Sequence, residues 1–390
     1  MFKGLFRLTG VVVLVCTTFS TALWAENGTR VYTGTVGKTP IVLEVNANGG
    51  EGRYFYQKYR GDLVLTGKKE GETLLLDEGN SPDEDGKPLP QFRLQPKLDG
   101  WSGEWISPQG KVLKVELQPA KLPPVSADTL PYLVRLHDKE PYEFLRLLGL
   151  KLKQGRTETF MGYTLQWWSE SQTKTEGFEV VSGYTAEARQ RINQQLMARL
   201  WQSVVGHFGC YVDGQESYYN QTMQPSWMTS SVMSATLSFE YYCGGAYPDQ
   251  YNQALNLDTR TGNALTLDDV LWVGQGKPLH FENNSDDDEY SPESSKDYYA
   301  YRTQELAPWL VAQLLKLYPK EMTTTVEGED DCGYNENDPW QFPDWYFTEN
   351  GIRLEPSFPH VAAVCRNIGW SVLPYSLVKQ HPGGVALQLP

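Results

Sequence analysis

Gly100-Trp-Ser-Gly-Glu-Trp105 and Val112-Leu-Lys-Val-Glu-Leu117 are short runs of β-forming residues that a turn separates. Similar runs, punctuated by Gly or Asn and without a helical period, precede them at residues 31–34, 41–45, 52–56, 63–67, 73–77 and 92–94. This regular spacing is typical of an antiparallel meander, a sandwich or a small barrel. The sequence therefore predicts a β-rich module over residues 26–118.

The tryptophans offer two interpretations. Trp101 and Trp105 are an even number of positions apart, so both should lie on one face of a strand. Trp167 and Trp168 are adjacent, so on a strand one of them must face away from the core. Exposed rings stack on sugars or anchor protein interfaces, whereas buried rings simply fill the core of a β domain.

Beyond the β module, Pro119, Pro123, Pro124 and Pro131 indicate a stiff linker over residues 119–131. The remainder, 132–390, is predicted to be an α+β domain with an antiparallel sheet packed on two helices. Residues 142–147 fit either a helical turn or the start of a strand. Further strands are expected at 157–168, 178–181, 230–242, 254–258, 345–348, 351–354 and 370–373, followed by a polar tail.

Two helices are predicted in this domain. The first covers 185–205, with Thr185 as its cap and an apolar face made of Ala188, Ile192, Leu196 and Leu200. The second covers about 297–318, where Pro308 must kink the helix or mark its true start. Its inward residues are expected to be Tyr301, Leu306, Leu310, Leu314 and Leu317.

The first 25 residues have the pattern of a secretory signal peptide. Lys3 and Arg7 precede an apolar run, and small residues follow it, so cleavage is expected after Ala22 or Ala25. The run is too short for a membrane anchor, which needs about 20 apolar residues. The sequence thus predicts an exported protein, periplasmic or secreted, with no membrane span after cleavage.

Composition narrows the class of partner. The 390 residues include 48 acidic and 34 basic ones, a net charge of -14. Lys3 and Arg7 are the only charged residues of the signal, so its removal leaves 32 basic residues and a net charge of -16. An acidic surface repels nucleic acid and anionic lipid and favours a basic protein or a cation. Hydrophobic residues at 40% exclude wholesale disorder.

Four cysteines remain after signal cleavage: Cys210, Cys243, Cys332 and Cys365. An even number in an exported chain indicates two disulfides, for which three pairings exist. The first two cysteines and the last two are each 33 positions apart, which favours Cys210 with Cys243 and Cys332 with Cys365. A zinc site is the less favoured alternative, because the chain has neither Cys-x-x-Cys nor His-x-x-x-His.

The chain has no motif for nucleophilic catalysis or phosphate binding, since Gly-x-Ser-x-Gly and the Gly-rich Lys-Ser/Thr loop are both missing. The acidic runs 286–289 and 329–331 could hold Ca²⁺, but solvated acidic loops are the favoured interpretation. Five histidines occur singly: His137, His207, His280, His360 and His381. We therefore expect no catalytic residues, no metal and no cofactor, and the sequence singles out no ligand-binding residue.

Three segments carry a resemblance to a known family: Tyr242-Cys-Gly-Gly-Ala-Tyr-Pro248, Leu255-Asn-Leu-Asp-Thr-Arg-Thr-Gly262 with the 265–270 run, and the stretch 345–378. Over roughly 185–379 the chain resembles a domain of unknown function shared by the lysozyme-sensing sigma-V anti-sigma factor and peptidoglycan deacetylase C. The resemblance implies a curved antiparallel sheet on helices in the cell envelope. Many relatives carry His where this chain has Tyr247, so no role of that imidazole transfers.

In the anti-sigma relative this region binds lysozyme without catalysis, and in the deacetylase the chemistry belongs to a separate domain. The resemblance, the export signal and the acidity together predict a non-catalytic envelope protein that binds a basic lysozyme-like hydrolase or wall glycan (peptidoglycan). The alternative is a periplasmic cell-wall hydrolase that uses unrecognised carboxylates. A passive structural module without a ligand is the third interpretation.

Overall fold

A computed structural model of the chain describes residues 28–79, 88–210, 217–279, 292–323 and 332–390. The predicted signal peptide, His280 and the acidic runs 286–289 and 329–331 lie outside the described residues.

The N-terminal module is a closed barrel of eight antiparallel strands in sequence order, with β1 paired to β8. A built Cβ on Gly34 would lie 1.9 Å from the Glu116 carbonyl oxygen, so only glycine allows β1 to approach β8 this closely. All eight predicted strands are present. They are β1 (Thr29–Val36), β2 (Thr39–Asn46), β3 (Glu51–Tyr56), β4 (Leu63–Glu70), β5 (Thr73–Glu78), β6 (Gln91–Lys97), β7 (Gly100–Ile106) and β8 (Val112–Pro119).

Alternate residues of the strands fill the barrel interior. Ile41 and Leu43 point inward, and Trp101 and Trp105 both pack against the same interior, which confirms their predicted common face. Val42, between the two inward residues of β2, packs outside the barrel against Tyr142 and Leu145. Residues 41–43 are therefore apolar without alternation, because both faces of β2 are buried.

After residues 120–130, which form neither helix nor strand, come α1 (Pro131–Lys139) and α2 (Pro141–Leu147). The helical alternative for 142–147 is thus the correct one. Prolines start both helices, at positions where the missing amide hydrogen costs nothing. The apolar side of α2 covers the barrel, so the two parts of the chain share a core at this point.

A buried arginine joins the barrel to α2. The Arg146 guanidinium donates to Asp62 Oδ1 at 2.6 Å and to Glu143 Oε2 at 2.7 Å. It also lies 4.9 Å and 5.0 Å from the ring centroids of Phe55 and Tyr142. Two carboxylates and two aromatic rings thus surround one guanidinium that has no solvent exposure.

The next sheet has strand order β11-β10-β9, with β9 (Leu152–Phe160), β10 (Tyr163–Glu170) and β11 (Glu176–Val180). The prediction of one strand over 157–168 is wrong. Met161 and Gly162, both at positive φ, form a tight turn inside that stretch and divide it into a hairpin. The alternating pattern continues across the turn because both arms pack on the same core.

Helix α3 (Ala186–Gly209) follows, and Thr185 caps it by accepting a hydrogen bond from the Ala188 amide. The helix extends one turn beyond the predicted end at 205. Trp167 packs with the core between the sheets, whereas Trp168 packs with α3 and the helices before it. Trp168 thus faces away from the core that contains Trp167, as predicted, but it is covered by a second core rather than exposed.

The central sheet has the order β12-β13-β14-β15, with β12 (Tyr218–Met228), β13 (Val232–Tyr242), β14 (Asp249–Asp258) and β15 (Asn263–Ala264). The sequence did not predict β12. It is an edge strand with polar residues and a bulge next to Pro225, features that an edge tolerates and that hide the strand pattern. A turn at Gly262, with φ +74°, joins β14 to β15.

A helical region then closes the C-terminal core: α4 (Leu267–Val270), α5 (Pro292–Tyr301), a π-helical segment (Arg302–Leu306), α6 (Ala307–Leu317) and α7 (Pro319–Thr323). Pro308 does not break the helix, because the preceding turn widens and the Ala307 amide donates to the Arg302 carbonyl oxygen. Four of the five predicted inward residues are buried. Leu317 is exposed, since α6 ends there, beyond the core.

The last sheet comprises β16 (Asp344–Phe347), β17 (Gly351–Glu355) and β18 (Val372–Pro374), followed by α8 (Tyr375–Val378). Two 3-10 segments, Asp338–Trp340 and His360–Cys365, flank its strands. The tail is not simply polar: Val385, Leu387 and Leu389 pack on the C-terminal core, because apolar residues alternate within its polar sequence.

The fold is α+β, as predicted in outline. The expectation of one sheet on two helices is too simple, because the described part of residues 132–390 carries three small sheets instead. Among the described residues, we find no helix long and apolar enough to cross a membrane.

Candidate functional site

A cleft of about 290 Å³ opens between β14, the β16–β17 hairpin and the stretches 356–358 and 366–367. We call it the acidic cleft. Its walls carry carboxyl groups, aromatic rings and one arginine, and the residues that matter most are Asp249, Tyr251, Phe342, Asp344, Glu355 and Arg366.

Two buried polar side chains fix the hairpin against the central sheet. Asn256 of β14 donates to the Trp345 carbonyl oxygen at 2.6 Å, and the Phe347 amide donates to Ser234 Oγ at 3.0 Å. Trp345, Phe347, Ile352 and Leu354 point into the core. The intervening residues of β16 and β17 must therefore face the other way, and Asp344 and Glu355 are among them.

Glu355 is the most unusual group in the cleft. The residue is only 5% exposed, and its Oε1 accepts from Arg353 Nε at 3.1 Å and from the Tyr346 hydroxyl at 3.4 Å. Its Oε2 is buried and has no hydrogen-bond partner among the described residues. Burial raises the pKa of this carboxyl to about 7, although Arg353 opposes the shift.

Asp344 pairs directly with Glu355 in the antiparallel register of β16 and β17. Surrounding protein raises the pKa of the Asp344 carboxyl to about 6. The residue is nevertheless accessible to solvent, and water in the cleft can hydrate its carboxylate. We therefore give Glu355, which is enclosed, more weight than Asp344 in the chemistry of the site.

The opposite wall holds an ion pair. Arg366 donates to Asp249 Oδ1 at 2.9 Å and also to the carbonyl oxygens of Phe358 and Gln250. Asp249 accepts a further hydrogen bond from the Tyr241 hydroxyl. Its carboxylate is thus already balanced by a cation.

Exposed apolar side chains occur on the two segments that lead into the cleft residues Asp249 and Arg366. Tyr247, in the loop between β13 and β14, is 67% exposed, and Val361 and Val364 of the 360–365 segment are 81% and 73% exposed. A 2.7 Å hydrogen bond between His360 Nε2 and the Pro248 carbonyl oxygen joins the loop to the segment. We call these three side chains the apolar rim.

Both disulfides anchor the rim. Cys210 is bonded to Cys243 at the base of the 243–248 loop, and Cys332 is bonded to Cys365 at the end of the 360–365 segment. These are the pairings that the 33-residue spacings favoured. Gly244 and Gly245 follow Cys243 at φ +89° and +100°, so the Gly-Gly pair makes a tight turn beside the disulfide.

A larger hollow, of about 450 Å³, lies between β12 and the β9–β11 sheet. Three of its charged groups already have partners: Arg156 lies 3.9 Å from the Trp167 ring centroid and pairs with Glu176, while Trp167 Nε1 donates to Glu158. The hollow is also lined by Gln221, whose buried Nε2 and Oε1 have no partner among the described residues, but the unpartnered atom of the acidic cleft is a carboxyl oxygen, Glu355 Oε2, and it can carry charge. We therefore choose the acidic cleft as the candidate site.

The described histidines and the other possible metal ligands do not form a common site. The described histidines contact different elements; His207 packs against Phe208 and Tyr219, and His381 against Trp309. Within the described ranges, no group of three His, Cys, Asp or Glu side chains is placed to hold a metal ion.

Sequence reasoning missed Asp344 and Glu355, because neither belongs to a motif. One pattern in the sequence could have indicated them. Apolar residues alternate in 345–347 and 352–354, so the acidic residues next to these runs should lie on the face of the hairpin opposite to the apolar one.

No family model matches the chain, and no curated protein matches it significantly. Among solved structures, it is similar to a crystal structure of a DUF3298 family member from Bacteroides fragilis, with 14% identity and a TM-score of 0.33. The match covers 60% of this chain and 94% of the other. The link to the anti-sigma factor and the deacetylase stays a prediction. At this TM-score we infer nothing about activity.

Proposed function

We propose that this chain is an exported, non-catalytic binding protein of the bacterial envelope, and that the face around the acidic cleft docks a basic protein. The observation that carries the proposal is that the apolar rim lies on two hydrogen-bonded segments that continue directly into Asp249 and Arg366, the ion pair of the cleft. Interfaces commonly combine exposed apolar anchors with charges complementary to the partner. Disulfides are compatible with an exported protein.

Charge supports a basic partner. The chain with its predicted signal removed carries a net charge of -16, which attracts cationic proteins over a distance. A lysozyme-like wall hydrolase is the partner that the sequence resemblance implies, and wall glycan is the second ligand to test.

The experiment is a titration of the purified mature chain with lysozyme at low and at physiological ionic strength. We expect binding that weakens with salt and that is lost in a V361D/V364D double variant. Val112→Asp, at an exposed valine of the barrel, is the matched control and should bind like the unmodified chain. Absence of binding at low salt, or equal loss in both variants, would contradict the proposal.

One observation favours the hydrolase alternative. Asp344 and Glu355 are opposed on neighbouring strands, and their pKa values are raised to about 6 and about 7, as in a pair that shares acid and base roles. Release of soluble fragments from purified peptidoglycan, abolished by Glu355→Gln, would establish it. No release, with lysozyme binding intact, would leave the binding function.

A further inference from the structure

The acidic cleft contains an arrangement that the chain uses elsewhere around its own arginines. Arg146 lies between the carboxylates of Asp62 and Glu143 and the rings of Phe55 and Tyr142. Acid and aromatic groups together suit a guanidinium, which forms planar hydrogen bonds and stacks on rings.

A second example lies next to the cleft. Arg302 donates to Asp268 at 2.5 Å, 5.0 Å from the Tyr298 ring centroid and 5.9 Å from that of Phe342. Phe342 lines the acidic cleft as well, so its ring is shared between the Arg302 site and the cleft.

The cleft repeats these components. Asp344 and Glu355 are opposed on β16 and β17, and the rings of Tyr251 and Phe342 form part of the walls. Unlike Asp62 and Glu143, Glu355 keeps one buried oxygen without a partner among the described residues. A buried acceptor that has lost its hydrogen bonds to water and has formed none within the protein lowers the stability of the fold. A hydrogen-bond donor from a ligand would satisfy this acceptor.

Charge and size set the kind of ligand. The cleft has three carboxyl groups, on Asp249, Asp344 and Glu355. Only two guanidinium groups, those of Arg353 and Arg366, balance them, so the net charge is -1 when all five are ionised. A volume of about 290 Å³ is at the lower limit of ligand pockets, which suits one side chain rather than a larger molecule.

We infer that the acidic cleft is a pocket for a single arginine side chain of the partner, with Glu355 Oε2 accepting from the guanidinium and Asp344 as the second carboxylate. The inference rests on the proposed function, because it names the group by which the docked basic protein is recognised. The raised pKa of Glu355 agrees with it, since a carboxyl that waits for a cation is partly protonated without one.

The test uses Nα-acetyl-arginine amide as probe, with the uncharged citrulline and the lysine derivatives as comparisons. NMR titration of the mature chain should give shifts in β16 and β17, with the arginine derivative bound at least about tenfold more tightly than either comparison. Glu355→Gln should lose about tenfold in affinity. Glu349→Gln, in the turn of the same hairpin, removes the same charge outside the cleft and should change nothing.

Each other result overturns the inference. Equal binding of the citrulline derivative excludes a charged pocket, and equal binding of the lysine derivative excludes a guanidinium pocket. Shifts confined to residues other than those of β14, β16, β17 and the stretches 356–358 and 366–367 place the probe elsewhere, and this mapping needs no variant. If the arginine derivative does not bind while lysozyme still binds through the apolar rim, the arginine pocket is wrong and the docking function stands. If the arginine derivative binds and lysozyme does not, the pocket stands and the proposed docking of lysozyme is wrong.

Discussion

Glu355 lies directly opposite Asp344 in the β16–β17 hairpin, and its Oε2 is buried without a hydrogen-bond partner among the described residues. Burial is the larger penalty on the ionised form of Glu355, and the Asp344 carboxylate adds repulsion to it. The hairpin therefore carries a local instability, and occupation by a cation would relieve it. Binding sites commonly contain ionisable groups in such unfavourable environments.

The first prediction concerns stability against pH. The pKa of Glu355 is raised to about 7 in the folded chain, against an ordinary value of 4.5. The folded state thus holds a proton that the unfolded state has lost, so the free energy of unfolding should fall between about pH 5 and pH 8, by up to about 3 kcal/mol from this group. Urea denaturation across this range measures the slope.

Glu355→Gln should flatten that slope and should be more stable than the unmodified chain at the alkaline end, because its amide never ionises. Glu349→Gln should keep the original slope. A Glu355→Gln variant whose stability falls with pH as steeply as the unmodified chain would show that this carboxyl is not the source.

The second prediction concerns binding against pH. A guanidinium favours the ionised form of Glu355, so affinity for the arginine derivative should rise by up to about tenfold from about pH 6 to pH 8. The charged or titratable neighbours are Asp344 and Tyr346 on β16, Arg353 on β17, Asp249 and Tyr251 on β14, Tyr241 on β13, and Arg366 beyond the 360–365 segment. Asp344 titrates near 6 and adds to the same trend.

Calorimetry in buffers of different ionisation enthalpy should also detect proton release on binding near neutral pH. Glu355→Gln should bind weakly at every pH. An affinity that is constant or that falls with increasing pH would contradict the link between the cation and this carboxyl.

The third prediction concerns the disulfide at the rim. Replacing Cys332 and Cys365 by serine releases a 33-residue loop, which costs about 3–4 kcal/mol of unfolding free energy on the chain-entropy estimate. Because Cys365 ends the segment that carries Val361 and Val364, affinity for lysozyme should fall as well. Unfolding and binding curves of the double variant measure both effects, and a stable variant with full affinity would show that the bond does not hold the rim.

The fourth prediction concerns the joint between barrel and helix. Arg146→Met removes the buried guanidinium that Asp62 and Glu143 share and leaves them only Arg53, which is partly exposed, so the change should cost about 3 kcal/mol. Arg135→Met removes the partner of Glu140 at the surface and should cost less than about 1 kcal/mol. Equal losses in the two variants would show that the buried cluster contributes nothing beyond a surface ion pair.

The barrel was predictable because each strand is a local pattern ended by turn residues. The cysteine pairing was favoured by spacing alone, and Thr185 and Gly262 have functions that a short stretch of sequence specifies. The strand predictions that were wrong or missing depend on contacts between distant parts of the chain. The 152–170 hairpin keeps its alternation across the turn, and edge strand β12 lacks the apolar pattern of a buried strand.

The candidate site could not be predicted for the same reason. Asp344 and Glu355 are 11 residues apart, and only the register of the hairpin brings them opposite each other. Arg366 reaches Asp249 from 117 positions away. One of the quoted family segments does contribute to the cleft, since the stretch 345–378 contains Glu355 and Arg366. The sequence thus indicated the region but not the groups within it.

Hydrogen–deuterium exchange of the mature chain with and without lysozyme tests the central claim most directly, because it locates the docked partner without any variant. We predict slower exchange in the peptides that contain the 243–248 loop, β16, β17 and the 360–365 segment, and unchanged exchange in the barrel, residues 29–119. Protection confined to the barrel, or no protection where lysozyme is in excess, would contradict the assignment of this face as the docking site.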